Sequence, residues 1–141
     1  MKILVVNGPN LNRLGTREPM VYGRQTWADI EAALRDLAGE FGADLECFQS
    51  NHEGALIDRL QAASDADGIL LNAGGLTHTS VSLRDCVAGL TMPVIEVHLS
   101  NIQAREEFRH VSLLTGVCRG MVAGLGPHSY LLGLRYLLEG S

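Results

Sequence analysis

The chain is short of the residues that mark many kinds of protein. It has one lysine, Lys2, so covalent chemistry through a lysine imine has a single candidate. Aromatic residues make up 5% of it, too few for a base-stacking platform, and a formal net charge of -5 leaves no basic field to hold a nucleic-acid backbone. No apolar run approaches the roughly 20 residues of a membrane span. Cys47, Cys86 and Cys118 form an odd set without a CxxC pair, which reads as reduced thiols, with Cys47 and Cys118 expected in buried strands. There is no HExxH and no acidic cluster with ligand spacing, and Gly74-Gly75 belongs to neither a P-loop nor a GxGxxG. Neither a metal nor a nucleotide cofactor is therefore expected. The first residues lead straight into an apolar strand, so the expectation is no signal peptide and a cytoplasmic location.

What is present suits one α/β domain. The 141 residues are about one domain's worth, taken as 1–141, and 46% of them are hydrophobic, enough for a real core. Ile3–Val6 is a continuous apolar run, the pattern of a strand covered on both faces. Thr26 and Asp29 form a capping arrangement ahead of Ile30, Leu34, Leu37, Ala38 and Phe41 at helical spacing, and Gly42 stands where the helix should end. Ala43–Gln49 alternates like a strand. SNHEG, with Asn51 as the expected cap, leads into a second helix bearing Ala55, Leu56, Leu60 and Ala63. Further strands are predicted at Gly68–Ala73, Pro93–Leu99 and Val117–Ala123, a third helix at Val81–Leu90, and a helical turn at Ala104–Phe108. Pro127 opens a last helix. Strands alternating with helices imply right-handed crossovers and a parallel sheet. Five of them suit a flavodoxin-like three-layer sandwich with strand order 2-1-3-4-5.

Between the first strand and the first helix lies a long polar loop, NGPNLNRLGTREPMVYGR, and loops of this length are usually functional. Its Arg17 and Tyr22 are five residues apart. A phenol is a poor base near neutrality, but a guanidinium nearby favours the phenolate, so the pair has the makings of a general base. The same residues also read as a solvated charge and a tyrosine packed over the core edge.

In such a sheet a ligand lies beyond the carboxyl ends of the strands. The first strand leaves into Asn7-Gly8-Pro9-Asn10, the third into Asn72-Ala73-Gly74-Gly75, and the fourth ends in Glu96-Val97-His98-Leu99-Ser100-Asn101. Three segments thus bring polar side chains to one edge. Glu96 and His98, two apart in a strand, share a face, so the carboxylate can orient the imidazole and raise its pKa, as a general acid requires. The bland alternative is a polar pair at a strand end. Thr77, His78, Thr79 and Ser80 stand before the third helix, where hydroxyls can cap it and its N–H groups can attract an anion. His110 and His128 are read as structural.

Taken in order, NGPNLNRLGTREPMVYG, QSNHEG, LNAGGLTHTS with Arg84-Asp85 following, EVHLSN, AREEFRH and GLGPHSYLLGL resemble the type II 3-dehydroquinate dehydratases over nearly the whole chain. The resemblance implies anti elimination of water from 3-dehydroquinate to give 3-dehydroshikimate, without a cofactor. It makes Tyr22 the base that takes the C2 proton, Arg17 its activator, and Asn10 the holder of a water on the enolate. His98 becomes the acid that protonates the C1 hydroxyl, with Glu96 behind it. Asn72, His78 and Arg109 would bind the substrate's hydroxyls and ring, and the backbone at Leu99 and Ser100 its carboxylate. Asp85 would come from a neighbouring subunit of a trimer, four of which make a dodecamer. Two positions depart from the pattern: Ala73 replaces a common proline, and Leu76 stands where an aromatic is frequent. The reaction's other known route, a lysine imine, has only Lys2, at the wrong end of the first strand. The pathway implied is shikimate and aromatic amino acid biosynthesis, with quinate breakdown as the alternative.

The fold alone also admits a flavin-binding electron carrier, a phosphoacceptor receiver domain and a non-catalytic assembly protein. The first lacks its phosphate loop and has only Trp27 among tryptophans. The second lacks its aspartates, since Asn7 and Asn72 stand at the strand ends.

Overall fold

Residues 1–16, 20 and 24–140 are described by a computed structural model of the chain. Five strands form one parallel sheet: β1 (Lys2–Asn7), β2 (Asp44–Gln49), β3 (Gly68–Asn72), β4 (Val94–His98) and β5 (Gly120–Ala123), in the spatial order β2-β1-β3-β4-β5. Among the described residues four α-helices cover it: α1 (Trp27–Glu40), α2 (Glu53–Gln61), α3 (Val81–Ala88) and α4 (Pro127–Leu138). The predicted flavodoxin-like arrangement is the observed one.

The apolar runs of β1, β3 and β4 are apolar because both faces are covered. Ile3, Val5, Leu70, Ile95 and Val97 pack with Leu34 of α1 and Tyr130 and Leu134 of α4. The alternate residues Leu4, Val6, Ile69, Leu71 and Val94 pack with Leu56 and Leu60 of α2 and Leu83 and Val87 of α3. Period-two alternation therefore decides which layer each strand residue meets. The α1 cap forms as expected: Thr26 Oγ1 accepts from Asp29 N at 3.3 Å, and Asp29 Oδ2 accepts from Thr26 N at 3.0 Å.

Several expectations need correction. Asn51 does not cap α2; that position is His52, whose side chain makes no capping bond. Asn51 Oδ1 instead accepts from Asn10 N at 2.9 Å and Gln49 Nε2 at 3.2 Å, tying β2 to the loop after β1. The helical turn expected at Ala104–Phe108 is two 3-10 turns, Ile102–Ala104 and Glu107–Arg109, parted by extended backbone at Arg105. β5 begins at Gly120 rather than Val117, because Thr115–Val117 winds into a 3-10 turn and Cys118 N donates to the carbonyls of Leu114 and Thr115. Thr115 at the start of that turn, and Ser112 just before it, both donate a hydroxyl to Glu96. Cys118 is accordingly half-buried in a turn, Cys47 is half-buried in β2, and all three thiols are free. Burial pushes the Cys47 and Cys118 thiols up to about 12, so both stay protonated.

Candidate active site

The strand register aligns the polar ends. Asn7 pairs with Asn72 across β1 and β3, and His98 closes β4 opposite Ala123 of β5. Beyond this edge is a cavity of about 150 Å³, a volume that accepts a six-membered ring. Its walls include Asn10, Asn72, His78, His98, Leu99, Ser100 and Arg109, seven of the expected site residues from four separate segments. The loops after β1 and β3 cross closely to make its floor. A Cβ on Gly8 would stand 2.4 Å from the Ala73 carbonyl oxygen, and one on Gly74, at φ +60°, would stand 2.9 Å from that of Pro9. Asn10 is the non-glycine residue with positive φ, 71°, among the described residues, and it opens the 3-10 turn Leu11–Arg13.

Behind the cavity sits a saturated carboxylate. Glu96 has no exposed surface, and its Oε2 meets His98 Nε2 at 2.5 Å. Ser112 Oγ donates to Oε2 at 2.8 Å and Thr115 Oγ1 to Oε1 at 2.5 Å. Burial by itself would push this carboxyl up; the bonds from His98, Thr115 and Ser112 outweigh it and hold the group below its ordinary value. An ionised Glu96 accepts a hydrogen bond from the Nε2–H of His98, which leaves Nδ1 as the nitrogen available to a bound molecule. The His78 ring stacks 6.4 Å from that of His98, and its Nδ1 donates to the Val111 carbonyl at 2.9 Å. A carbonyl only accepts, so His78 carries its proton on Nδ1. Arg109 is steadied by Glu106 at 3.0 Å, and Arg105 by Ser100 Oγ at 3.3 Å, giving the cavity cationic walls suited to an anion.

Arg17 and Tyr22 lie outside the described residues. Asp85 is described and is not part of the cavity: it is exposed on α3, with its Oδ1 2.9 Å from Arg84 Nη1. Lys2 is five residue steps of about 3.3 Å before Asn7, roughly 16 Å from the site edge, and is paired with Asp65 at 2.6 Å and Glu46 at 3.2 Å. Before α3 the capping hydroxyl is Ser80, whose Oγ accepts from Leu83 N at 2.9 Å. Arg105, Ser112 and Thr115 were missed by sequence reasoning. Arg105 was legible as the partner of Arg109 four residues on. The two hydroxyls gave no signal, because they reach Glu96 from 16 and 19 residues further along the chain. Among the described residues no group of three or more His, Cys, Asp or Glu is placed to hold a metal ion, and no helix is long and apolar enough to cross a membrane.

Comparison with known proteins matches residues 1–138 to the family model described as Dehydroquinase class II. The chain belongs to the class II dehydroquinases. As a member it is a hydro-lyase of the type II 3-dehydroquinate dehydratase kind. It is 55% identical over 140 residues to the 3-dehydroquinate dehydratase of Desulforudis audaxviator, covering 99% of this chain and 93% of that one. The enzyme of the same name from Azorhizobium caulinodans is 57% identical over 135 residues, covering 96% and 92%. The crystal structure of the type II dehydroquinase from Butyrivibrio crossotus superposes with a TM-score of 0.95 at 44% identity, covering 97% of each chain. The class II dehydroquinase fold is thus shared across the whole sheet that carries the cavity.

Proposed function

We propose that this chain dehydrates 3-dehydroquinate to 3-dehydroshikimate by anti elimination through an enolate. The observation that carries this reading is the His98–Glu96 pair, a buried, ionised carboxylate holding an imidazole against a ring-sized cavity. A proton alpha to a ketone is acidic enough for a phenolate, and Tyr22, activated by Arg17, is the base in this scheme. Loss of the C2 proton gives the enolate, stabilised by a water held through Asn10. In this scheme His98 reacts as imidazolium, with its Nε2–H held by Glu96. Its Nδ1 gives a proton to the C1 hydroxyl, which leaves as water while the enolate electrons form the C1–C2 double bond. The imidazole ends neutral, its Nε2–H still on the ring and donating to Glu96. Asn72, His78 and Arg109 bind the substrate's polar groups and the backbone at Leu99 and Ser100 its carboxylate. The domain spans residues 1–141, four trimers assemble into a dodecamer, and Asp85 reaches a neighbour's site. We place the enzyme in the cytoplasm, in the shikimate route to aromatic amino acids.

The direct test is ultraviolet absorption. Purified protein mixed with 3-dehydroquinate should generate the conjugated enone. A preparation that is folded and assembled yet produces no enone would overturn the reading.

A further inference from the structure

One buried tyrosine has no part in the chemistry so far. Tyr130, on α4, has no exposed surface and does not line the cavity. Its hydroxyl lies between the asparagines that end β1 and β3. It donates to Asn7 Oδ1 at 2.7 Å and accepts from Asn72 Nδ2 at 2.9 Å. Alternation explains the meeting: Asn7 follows Ile3 and Val5, and Asn72 follows Leu70, all on the α4 side of the sheet.

The direction of each bond is forced. Gly74 N is a backbone donor, and it bonds Asn72 Oδ1 at 3.1 Å. The Asn72 amide must then turn Nδ2 toward Tyr130. A hydroxyl has one proton, so Tyr130 spends it on Asn7. Turning the Asn72 amide over would set two donors face to face at Gly74 and strand a buried acceptor at Tyr130. The second Nδ2 proton and a free lone pair of Oδ1 are what remain for an occupant of the cavity.

We propose that Tyr130 is a positioning residue: through its hydroxyl it fixes the Asn72 amide, and so sets which hydrogen bond the cavity offers at the end of β3. The kinetic arm of the test rests on the proposed dehydration; the spectroscopic arm does not.

Tyr130→Phe removes one oxygen and leaves the ring beside Trp27, 5.4 Å away between centroids. Kinetically, KM for 3-dehydroquinate should rise about tenfold, with a smaller change in kcat, because a misdirected contact weakens binding. Asn72→Ala should show a loss of the same kind, and the double variant should be no worse than Asn72→Ala alone. A purely structural role would lower Tm and leave KM at moderate temperature unchanged. Spectroscopically, the Asn72 side-chain amide protons of the unliganded protein should exchange with water at least about tenfold faster in Tyr130→Phe, since one of the two bonds fixing the group is gone. Unchanged exchange, unchanged KM, or losses that multiply in the double variant would each overturn the proposal. Absence of turnover in the wild type would instead strike the functional reading and leave the exchange experiment in force. If Tyr130→Phe does not fold, Asn7→Ala keeps the tyrosine and takes away its acceptor. The same faster exchange at Asn72 is expected there, and its absence counts against the proposal.

Discussion

Glu96 shows how a charge is kept at a site without exposure. A carboxylate with no surface is costly unless its lone pairs are filled, and here His98, Ser112 and Thr115 fill them. Each hydrogen bond to a charged group contributes roughly 1.5–3 kcal/mol, so three together outweigh the burial that opposes them. The direction of the shift fixes a pH dependence. With its folded pKa below the ordinary 4.5, Glu96 adds stability that is complete above that value and lost as pH falls through the folded pKa. Glu96→Gln should therefore be less stable than wild type at pH 7, and the gap in urea midpoint should narrow progressively as pH falls below 4.5, because a protonated carboxyl and an amide are near equivalents. A gap that is constant from pH 7 to pH 3 would show that the fold does not lower the pKa of Glu96. The division of labour between Tyr22 and His98 is tested by separating two steps. If Tyr22 is the base, Tyr22→Phe should nearly abolish both exchange of the C2 proton and dehydration, each by ~10²–10⁴-fold. His98→Ala should cost dehydration heavily yet leave measurable exchange, because the enolate forms before the acid acts. Equal losses of exchange and dehydration in His98→Ala would argue against these roles.

Among the elements, the first helix joins the stability of the fold to the edge of the site. Its capping box fills two backbone donors at the first turn, where Trp27 leans on Tyr130. Thr26→Ala should lower stability by about 1 kcal/mol, read as a drop in urea midpoint with no change in slope. A loss near zero would mean that the Trp27 contact, rather than the cap, sets the start of α1. That cap was legible because its signal is local: a threonine, an aspartate three residues on, and a helical apolar stripe. The sheet order was legible for a similar reason, since alternating apolar runs and amphipathic helices leave few topologies. Glu96 and His98 were legible as a pair because strand period alone puts them on one face. The failures came where a distant partner decides local structure. Asn51 looks like a cap in sequence, but the Asn10 N–H claims its oxygen from 41 residues away. Val117 and Cys118 look like strand, but Ser112 and Thr115 answer to Glu96, and the chain winds into a 3-10 turn there. Asn7 and Asn72 were read as markers of the sheet edge. Their bridging through Tyr130 spans 123 and 58 residues and has no local trace.

At the scale of the whole molecule, one expected site residue stands apart from the rest. Asp85 is on the exposed face of α3, paired with its neighbour Arg84, while the other described candidates surround the cavity or stand directly behind it. An exposed aspartate beside an arginine is ordinarily a solvated helix charge, and a pair this exposed contributes little to stability. A closed symmetric assembly changes that reading, because each copy then presents the same carboxylate to a neighbour and every site gains one. The trimer proposed above makes Asp85 a residue of the adjacent cavity, and subunit mixing tests it directly. Tyr22→Phe subunits lack the base but carry an intact Asp85; Asp85→Ala subunits have the reverse. After joint dissociation and reassembly, some trimers will hold a site with an intact Tyr22 facing an intact neighbouring Asp85. Activity should then rise above that of either parent, provided Asp85→Ala alone is clearly impaired and elutes as an assembled oligomer. If Asp85 acts within its own chain or not at all, mixing returns only the average of the two parents. Full activity in a well-assembled Asp85→Ala enzyme would equally remove it from the site.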